Sequence, residues 1–319
     1  MKKSLQRFTL TAAVVVAVVL SSASSFGQTL ISDNFEADTS ANYSIQTNNA
    51  ANGSVQFAFD YVTAGIPVAP RSSPGNTNGL KVAVNTVSGS VNSQTVYNNT
   101  AVTASEYRML VDVYVAFQGA TATTIYAQPG VGGSGTTYNA VFTPISGDGS
   151  FMAFTGDGGS ASDYRWYLDS ANGGPTTVPN TDPSYLGHGS NNTGAFYQSL
   201  FPAPPSTIAG VPGNIWTTVQ IDVNNTTGLI KYYMTNTSGS QALIFDNNVS
   251  GTTPFTGLLD GLVSMGAHDP FASLSPPSVF VVFDNLLVEV PEPSSIALAT
   301  AGVVGGLAWR RKRLRNARV

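Results

Sequence analysis

Between Gln28 and Val290 the chain runs through short stretches in which apolar and polar residues alternate, the period of a half-buried β-strand. Val55, Phe57 and Phe59 alternate with Gln56, Ala58 and Asp60. Over residues 107–117, Tyr107, Met109, Val111, Val113 and Val115 take one face, and Arg108, Leu110, Asp112 and Tyr114 take the other. Trp216, Val219, Ile221 and Val223 open a further strand, which turns at Asn224–Gly228 and returns over Leu229–Thr235 as a hairpin. Val279–Val290 is apolar almost throughout, as a strand covered on both faces would be. No helical period of comparable strength occurs in this region. Short strands separated by glycine-rich turns predict an all-β fold, a two-sheet antiparallel β-sandwich.

Residues 171–213 break the alternation. They are rich in Gly, Pro, Asn and Ser, and so long a connection without strands is uncommon inside a compact domain. A binding loop, a flexible insertion and a short helix around Ala195–Leu200 are the open readings. No internal repeat or second domain is evident.

The two ends follow different rules. Residues 1–27 have the layout of a secretory signal peptide. Lys2, Lys3 and Arg7 precede an apolar run from Leu10 to Leu20, and the small residues Ser25 and Gly27 precede Gln28. The other end, 291–319, begins Pro-Glu-Pro-Ser, continues as an apolar run over 295–309, and closes with Arg310, Arg311, Lys312, Arg313, Arg315 and Arg318. The prolines hold the chain extended, as a processing enzyme's cleft requires. The apolar run predicts a short membrane-spanning helix of roughly 22–24 Å, against a hydrocarbon core of about 30 Å. Its basic end stays cytoplasmic. An ordinary single-span anchor is the plainer alternative, but it has no need of Pro-Glu-Pro.

This ending resembles the PEP-CTERM sorting signal of exported bacterial proteins. The resemblance implies that Pro291, Glu292 and Pro293 are the recognition and processing motif for an integral-membrane exosortase. It also implies passage through the secretion translocon, transient anchoring in the membrane, and association with exopolysaccharide. The expected organisation is a signal peptide over 1–27, a β-sandwich domain over 28–290 and a sorting signal over 291–319.

Removing the two signals changes the charge. The whole chain carries −4, but nine of its fourteen basic residues lie in the signals. Residues 28–290 hold five bases against seventeen acids, a net −12. Such a surface repels nucleic acid and anionic lipid, which excludes a nucleic-acid-binding role. It also repels strongly anionic polysaccharides unless divalent cations bridge them. There is no cysteine, so disulfides and thiolate metal sites are excluded and stability rests on the core. Charged residues make up 10% of the chain, against about 25% in average domains, so solubility rests on neutral polar side chains.

The candidate chemistry is sparse. Glycoside hydrolysis calls for two carboxylates flanking a bond, and no close acid pair occurs on one strand face of this sequence. Asp112 and Asp222 read as single outward-facing strand residues. A catalytic site is therefore not expected, unless distant loops assemble one. His188 and His268 lie in turn-rich sequence and read as exposed loop histidines. For sugar binding, Tyr164, Trp166 and Tyr167 in DYRWYLD are the candidate platform, set against a reading in which Trp166 is a packed core residue. Tyr185 and Tyr197 are weaker candidates.

The stretch from Ile215 to Asn236 resembles a hairpin of concanavalin A-like, laminin-G-type jelly rolls, with a Trp-led strand, an Asp-Val pair, a glycine turn and an aromatic return strand. Carbohydrate-binding modules of that kind share a calcium between acids near the first strand and on the last. The resemblance marks Asp33, Glu36 and Asp284 as candidate ligands of a structural calcium, a hard cation suited to oxygen donors. Otherwise they are turn and edge-strand acids, and no other cofactor is expected. The expected function is a non-catalytic structural or adhesive role at the cell surface or in the extracellular matrix. A carbohydrate-binding module is the second reading, and a polysaccharide-cleaving enzyme the third.

Overall fold

The computed structural model describes residues 27–118, 124–142, 145–159, 162–170, 174–186, 189–249, 259–271 and 273–290. The signal peptide expected over 1–27 lies outside these residues except for Gly27, and the sorting segment over 291–319 lies wholly outside them.

Among the described residues sixteen strands follow in chain order. They are β1 (Gln28–Asp33), β2 (Tyr43–Thr47), β3 (Gly53–Asp60), β4 (Asn78–Val84), β5 (Asn92–Asn98), β6 (Glu106–Ala116), β7 (Tyr126–Ala127) and β8 (Gly130–Gly133). After them come β9 (Ser150–Thr155), β10 (Tyr164–Ser170), β11 (Gly174–Thr177), β12 (Trp216–Asn224), β13 (Leu229–Thr235), β14 (Gln241–Asp246), β15 (Leu262–Asp269) and β16 (Phe280–Val290). Among the described residues the α-helix is a single short one, α1 (Ala195–Leu200).

The strands form two eight-stranded sheets. Sheet A runs β14-β13-β12-β6-β16-β4-β3 with β1 also on β16, and sheet B runs β11-β10-β9-β7-β15-β5-β2 with β8 on β15 and β9. The fold is the expected two-sheet antiparallel sandwich.

Alternation places the core. Tyr107, Met109, Val111, Val113 and Val115 of β6 join Val219, Ile221 and Val223 of β12 in one apolar cluster between the sheets. Sheet B contributes Met152, Phe154, Trp166, Val263 and Met265 to the same cluster. The predicted hairpin pairs Asn224 with Leu229 at its turn and Thr218 with Thr235 at its open end. Although last in the chain, β16 sits inside sheet A, between β6 and β4. Its residues Phe280–Asp284 are all buried, as the continuous apolar run requires.

Each sheet also carries a cover on its outer face. Residues 61–72, between β3 and β4, lie over sheet A, where Tyr61, Ile66 and Ala69 pack on Tyr114, Trp216 and Val282. On sheet B, Val141 and Phe142 pack with Tyr126, Phe151 and Tyr167. Among its described residues the predicted irregular stretch holds β11, a 3-10 turn at Pro183–Tyr185 and α1, which occupies the residues expected of it. Tyr185 and Tyr197 anchor this stretch in the core.

Candidate functional site

Asp112 on β6 and Asp284 on β16 are direct cross-strand partners. Their neighbours Val111, Val113 and Phe283 point into the sandwich, so strand alternation sends both acids to the outer face of sheet A. There they are buried beneath the 61–72 strap. The strap is fastened beside them, since Trp216 Nε1 donates to the Pro67 carbonyl at 2.6 Å.

The two carboxylates have different surroundings. Arg71, at the end of the strap, donates from Nε to Asp112 Oδ1 at 2.9 Å and from its backbone N–H to Oδ2 at 3.2 Å. Thr218 Oγ1 donates to Asp112 Oδ1 at 2.6 Å, and Asn285 Nδ2 to Oδ2 at 3.0 Å. The Arg71 guanidinium also donates to the Asn285 carbonyl. Asp284 takes hydroxyl and amide donors instead. Tyr61 OH and Ser72 Oγ reach its Oδ2 at 3.0 and 2.8 Å, and the Asn285 N–H reaches its Oδ1 at 2.7 Å.

Burial pushes the Asp284 carboxyl up to about 6; the Ser72, Tyr61 and Asn285 donors pull it down, and the Asp112 charge adds to the rise. Asn285 has φ +52° within the β-bulge between Asp284 and Leu287, a left-handed conformation that asparagine tolerates. Two neighbouring acids in unlike environments can divide acid and base roles. Here the strap occupies the space a scissile bond would need, and the donors around both carboxylates belong to the protein itself. The arrangement clamps the strap. The sequence reading of Asp112 as a solitary outward residue is therefore corrected in one respect. It does point outward, but it is buried against a second acid and an arginine.

The calcium expected at Asp33, Glu36 and Asp284 does not fit this arrangement. Asp33 accepts from the Phe35 N–H at 2.8 Å, Thr39 Oγ1 at 2.7 Å and Tyr43 OH at 2.9 Å. Glu36 accepts from the Asn78 N–H at 3.0 Å and so ties β4 to the loop after β1. Asp284 belongs to the Asp112 clamp. Among the described residues no group of three or more His, Asp or Glu side chains is placed to hold a metal ion.

The expected aromatic platform is also corrected. Tyr164, Trp166 and Tyr167 are all 0% exposed. Trp166 stacks on Phe245 at 5.3 Å between ring centroids and donates from Nε1 to Ser150 Oγ at 2.9 Å. Tyr164 stacks on Tyr197 at 4.0 Å. Tyr167 points to the other face of sheet B, but Val141 and Phe142 cover that face and Phe151 stacks on the ring at 4.8 Å. Both sides of β10 are therefore interior. His268, expected in an exposed loop, lies on β15 at 1% exposure, and burial pushes its imidazole down to about 3. His188 lies outside the described residues.

A half-buried surface adjoins the clamp. Beyond the strap, the outer face of sheet A carries a row in register across five strands: Leu287, Leu110, Gln220, Tyr233 and Leu243. The next row is Glu289, Arg108, Asp222, Lys231 and Asp246. Arg108 Nε contacts Asp222 Oδ1 at 2.8 Å, and Lys231 Nζ contacts Asp246 Oδ2 at 3.2 Å. Gln220 lies low between its neighbours, donating to Asp222 at 3.0 Å and accepting from Gln241 Nε2 at 3.1 Å. Tyr232 turns into the core, so Tyr233 faces outward and is half-buried. The period-two pattern of Leu229–Thr235 carries this signal, since it sets Tyr233 on the face opposite Ile230, Tyr232 and Met234.

Residues 289–313 match the PEP-CTERM protein-sorting motif. The match begins inside β16 and takes in Pro291, Glu292 and Pro293. No curated protein matches the sequence. Among solved structures, the Emp46p carbohydrate recognition domain in its potassium-bound form is similar at 11% identity and TM-score 0.44, over 82% of this chain and 95% of that one. The VIP36 exoplasmic/lumenal domain in its Ca2+-bound form gives 11% identity and TM-score 0.44 over 83% and 90%. The T. cruzi calreticulin globular domain gives 8% identity and TM-score 0.43 over 87% and 94%.

Proposed function

We propose that this is an exported bacterial surface or extracellular-matrix protein. In this reading an exosortase processes the chain at Pro291, Glu292 and Pro293, and the sandwich over 28–290 serves a non-catalytic structural or adhesive role linked to exopolysaccharide. The observation that carries the reading is the sorting motif at 289–313. Its position supports it, because Pro291 follows β16 directly in the sequence, so the Pro-Glu-Pro element begins next to the last residue of the described sandwich. The apolar run over 295–309 provides the transient membrane anchor, and the signal peptide over 1–27 provides entry to the translocon.

Replacing Pro291, Glu292 and Pro293 together with alanine tests this in the producing cell. The expected result is an unprocessed chain that stays in the membrane fraction. Normal processing and release of that variant would end the sorting reading.

A carbohydrate-binding module is the second reading, favoured by the half-buried outer face of sheet A beyond the strap, with a tyrosine among planar polar side chains. A structural calcium has no support from the donor set at Asp33, Glu36 and Asp284, whose nearest donors are protein hydroxyls and amides.

A further inference from the structure

We infer that the outer face of sheet A, between the strap and the Glu289–Asp246 row, binds an extended, uncharged polysaccharide chain with Tyr233 as its stacking residue. This deepens the carbohydrate-binding reading and rests on it.

The shape of the face comes first. Neighbouring strands lie about 4.7–4.9 Å apart, so a row crossing five strands extends roughly 19 Å. That length accommodates several sugar rings in succession, more than a single monosaccharide would fill. The row through Leu110, Tyr233 and Leu243 is the apolar one, and the strap walls it on the side of Asp112 and Asp284. Sugar rings present C–H faces that pack on aromatic and aliphatic surface, while their hydroxyls need donors and acceptors at the edge of the same surface.

The charge pattern selects the ligand. Glu289, Arg108, Asp222, Lys231 and Asp246 alternate in sign, each opposite its neighbour in register. Three acids and two bases leave a single net negative charge along the whole row. The side chains of Arg108, Asp222 and Lys231 nevertheless stay 34%, 30% and 35% exposed, so a ligand can reach the row. Such a row offers many polar contacts and almost no net field. An anionic polymer gains nothing from it and is repelled by the surrounding −12 surface. Uncharged hydroxyls suit it. Gln241 is exposed at the far end, and its amide is already oriented by Gln220. The amides and carboxylates are thus held in place before a ligand arrives, which lowers the entropy cost of binding.

Affinity electrophoresis of the full chain in a polyoxyethylene detergent tests the inference. The gels contain hydroxyethylcellulose, glucomannan, galactomannan or dextran, with alginate and hyaluronate as anionic probes. We expect retardation by at least one neutral polymer and by neither anionic one. Tyr233→Ala should weaken the retardation constant by roughly tenfold, equivalent to about 1.4 kcal/mol. Tyr233→Phe, which keeps the ring, should retain it. An unchanged thermal midpoint in Tyr233→Ala shows that the loss is not a folding defect.

If a neutral polymer retards wild type and Tyr233→Ala equally, this face is not the site, although the carbohydrate reading survives. If no neutral polymer retards the wild type, the carbohydrate reading fails with it. Retardation by alginate or hyaluronate overturns the selection for uncharged chains. A Tyr233→Ala variant that changes the sedimentation coefficient and leaves retardation untouched reassigns the face to self-association.

Discussion

Asp112 and Asp284 stand opposite each other across β6 and β16, and of these two acids the guanidinium of Arg71 contacts Asp112 alone. The other carboxyl, raised by burial to about 6, relies on Tyr61, Ser72 and a backbone amide. A carboxyl whose folded value lies above its unfolded value near 3.8 favours folding in acid. That contribution is complete below about pH 4 and is lost as the pH rises through about 6. Asp284→Asn removes the dependence. Compared with wild type, the variant should gain thermal stability at pH 7 relative to pH 4, by about 2–3 kcal/mol as an upper figure. Calorimetry at the two pH values checks this, and equal differences at both would show that Asp284 titrates normally.

His268 acts in the opposite sense. Its folded value near 3 lies below the ordinary 6.5, so burying the neutral imidazole contributes stability above about pH 6.5 that is lost as the pH falls towards 3. Between about pH 4 and 6 the two groups offset one another. His268→Gln should flatten the decline in thermal midpoint from pH 6.5 to pH 4, measured against its own value at pH 7. An unaltered slope would place the acid sensitivity elsewhere.

Arg71→Met leaves the Asp112 carboxylate buried without its cation. Loss of one member of a buried pair costs about 3–5 kcal/mol, and urea unfolding should register a drop of that order. Asp112→Asn in the same chain removes the stranded charge and should recover much of the loss. If the double variant is no more stable than Arg71→Met, the pair is not coupled.

Trp166→Ala opens a large cavity in the core and strands the Ser150 hydroxyl, at an expected cost of roughly 3–5 kcal/mol in chemical unfolding. The near-ultraviolet circular dichroism should change with it, because the indole lies among Phe245 and Tyr232. A variant as stable as wild type would place the indole at the surface.

Thermal unfolding with calcium and with chelator should give the same midpoint. The acids Asp33, Glu36 and Asp284 are each engaged by different local donors, and no group of three or more acids or histidines among the described residues is placed to hold a metal ion. A calcium-dependent rise would overturn this and restore the shared calcium site.

Period-two alternation marks five of the eight strands of sheet A. Val55–Phe59, Tyr107–Val115, the 216–235 hairpin and Val279–Val290 all lie on β3, β6, β12, β13 and β16 or within a residue of them. Short-range alternation is a local property, so it is visible in a single sequence. What covers a strand is not local. Trp166 and Tyr167 point to opposite faces of β10, as alternation requires, but both faces are closed, one by sheet A and the other by Val141 and Phe142. Alternation also sets Asp112 on its outward face, yet a strap that begins about fifty residues earlier in the chain decides whether that face meets water. His268 shows the same limit, since the glycine-rich sequence around it masked a strand. The sorting motif was fully legible because its recognition depends on linear order.

The place of β16 has a consequence for the order of events in export. This strand supplies the interior of sheet A, hydrogen-bonded to β6 on one side and to β4 on the other. Until residues 280–290 are available, sheet A is split into halves and the Asp112 clamp lacks its second acid. The residues that complete the sandwich are followed at once by Pro291. On the proposed export route, folding of the body and arrival of the matched sorting motif therefore coincide, and the motif reaches the processing enzyme on a chain that has only just become able to close.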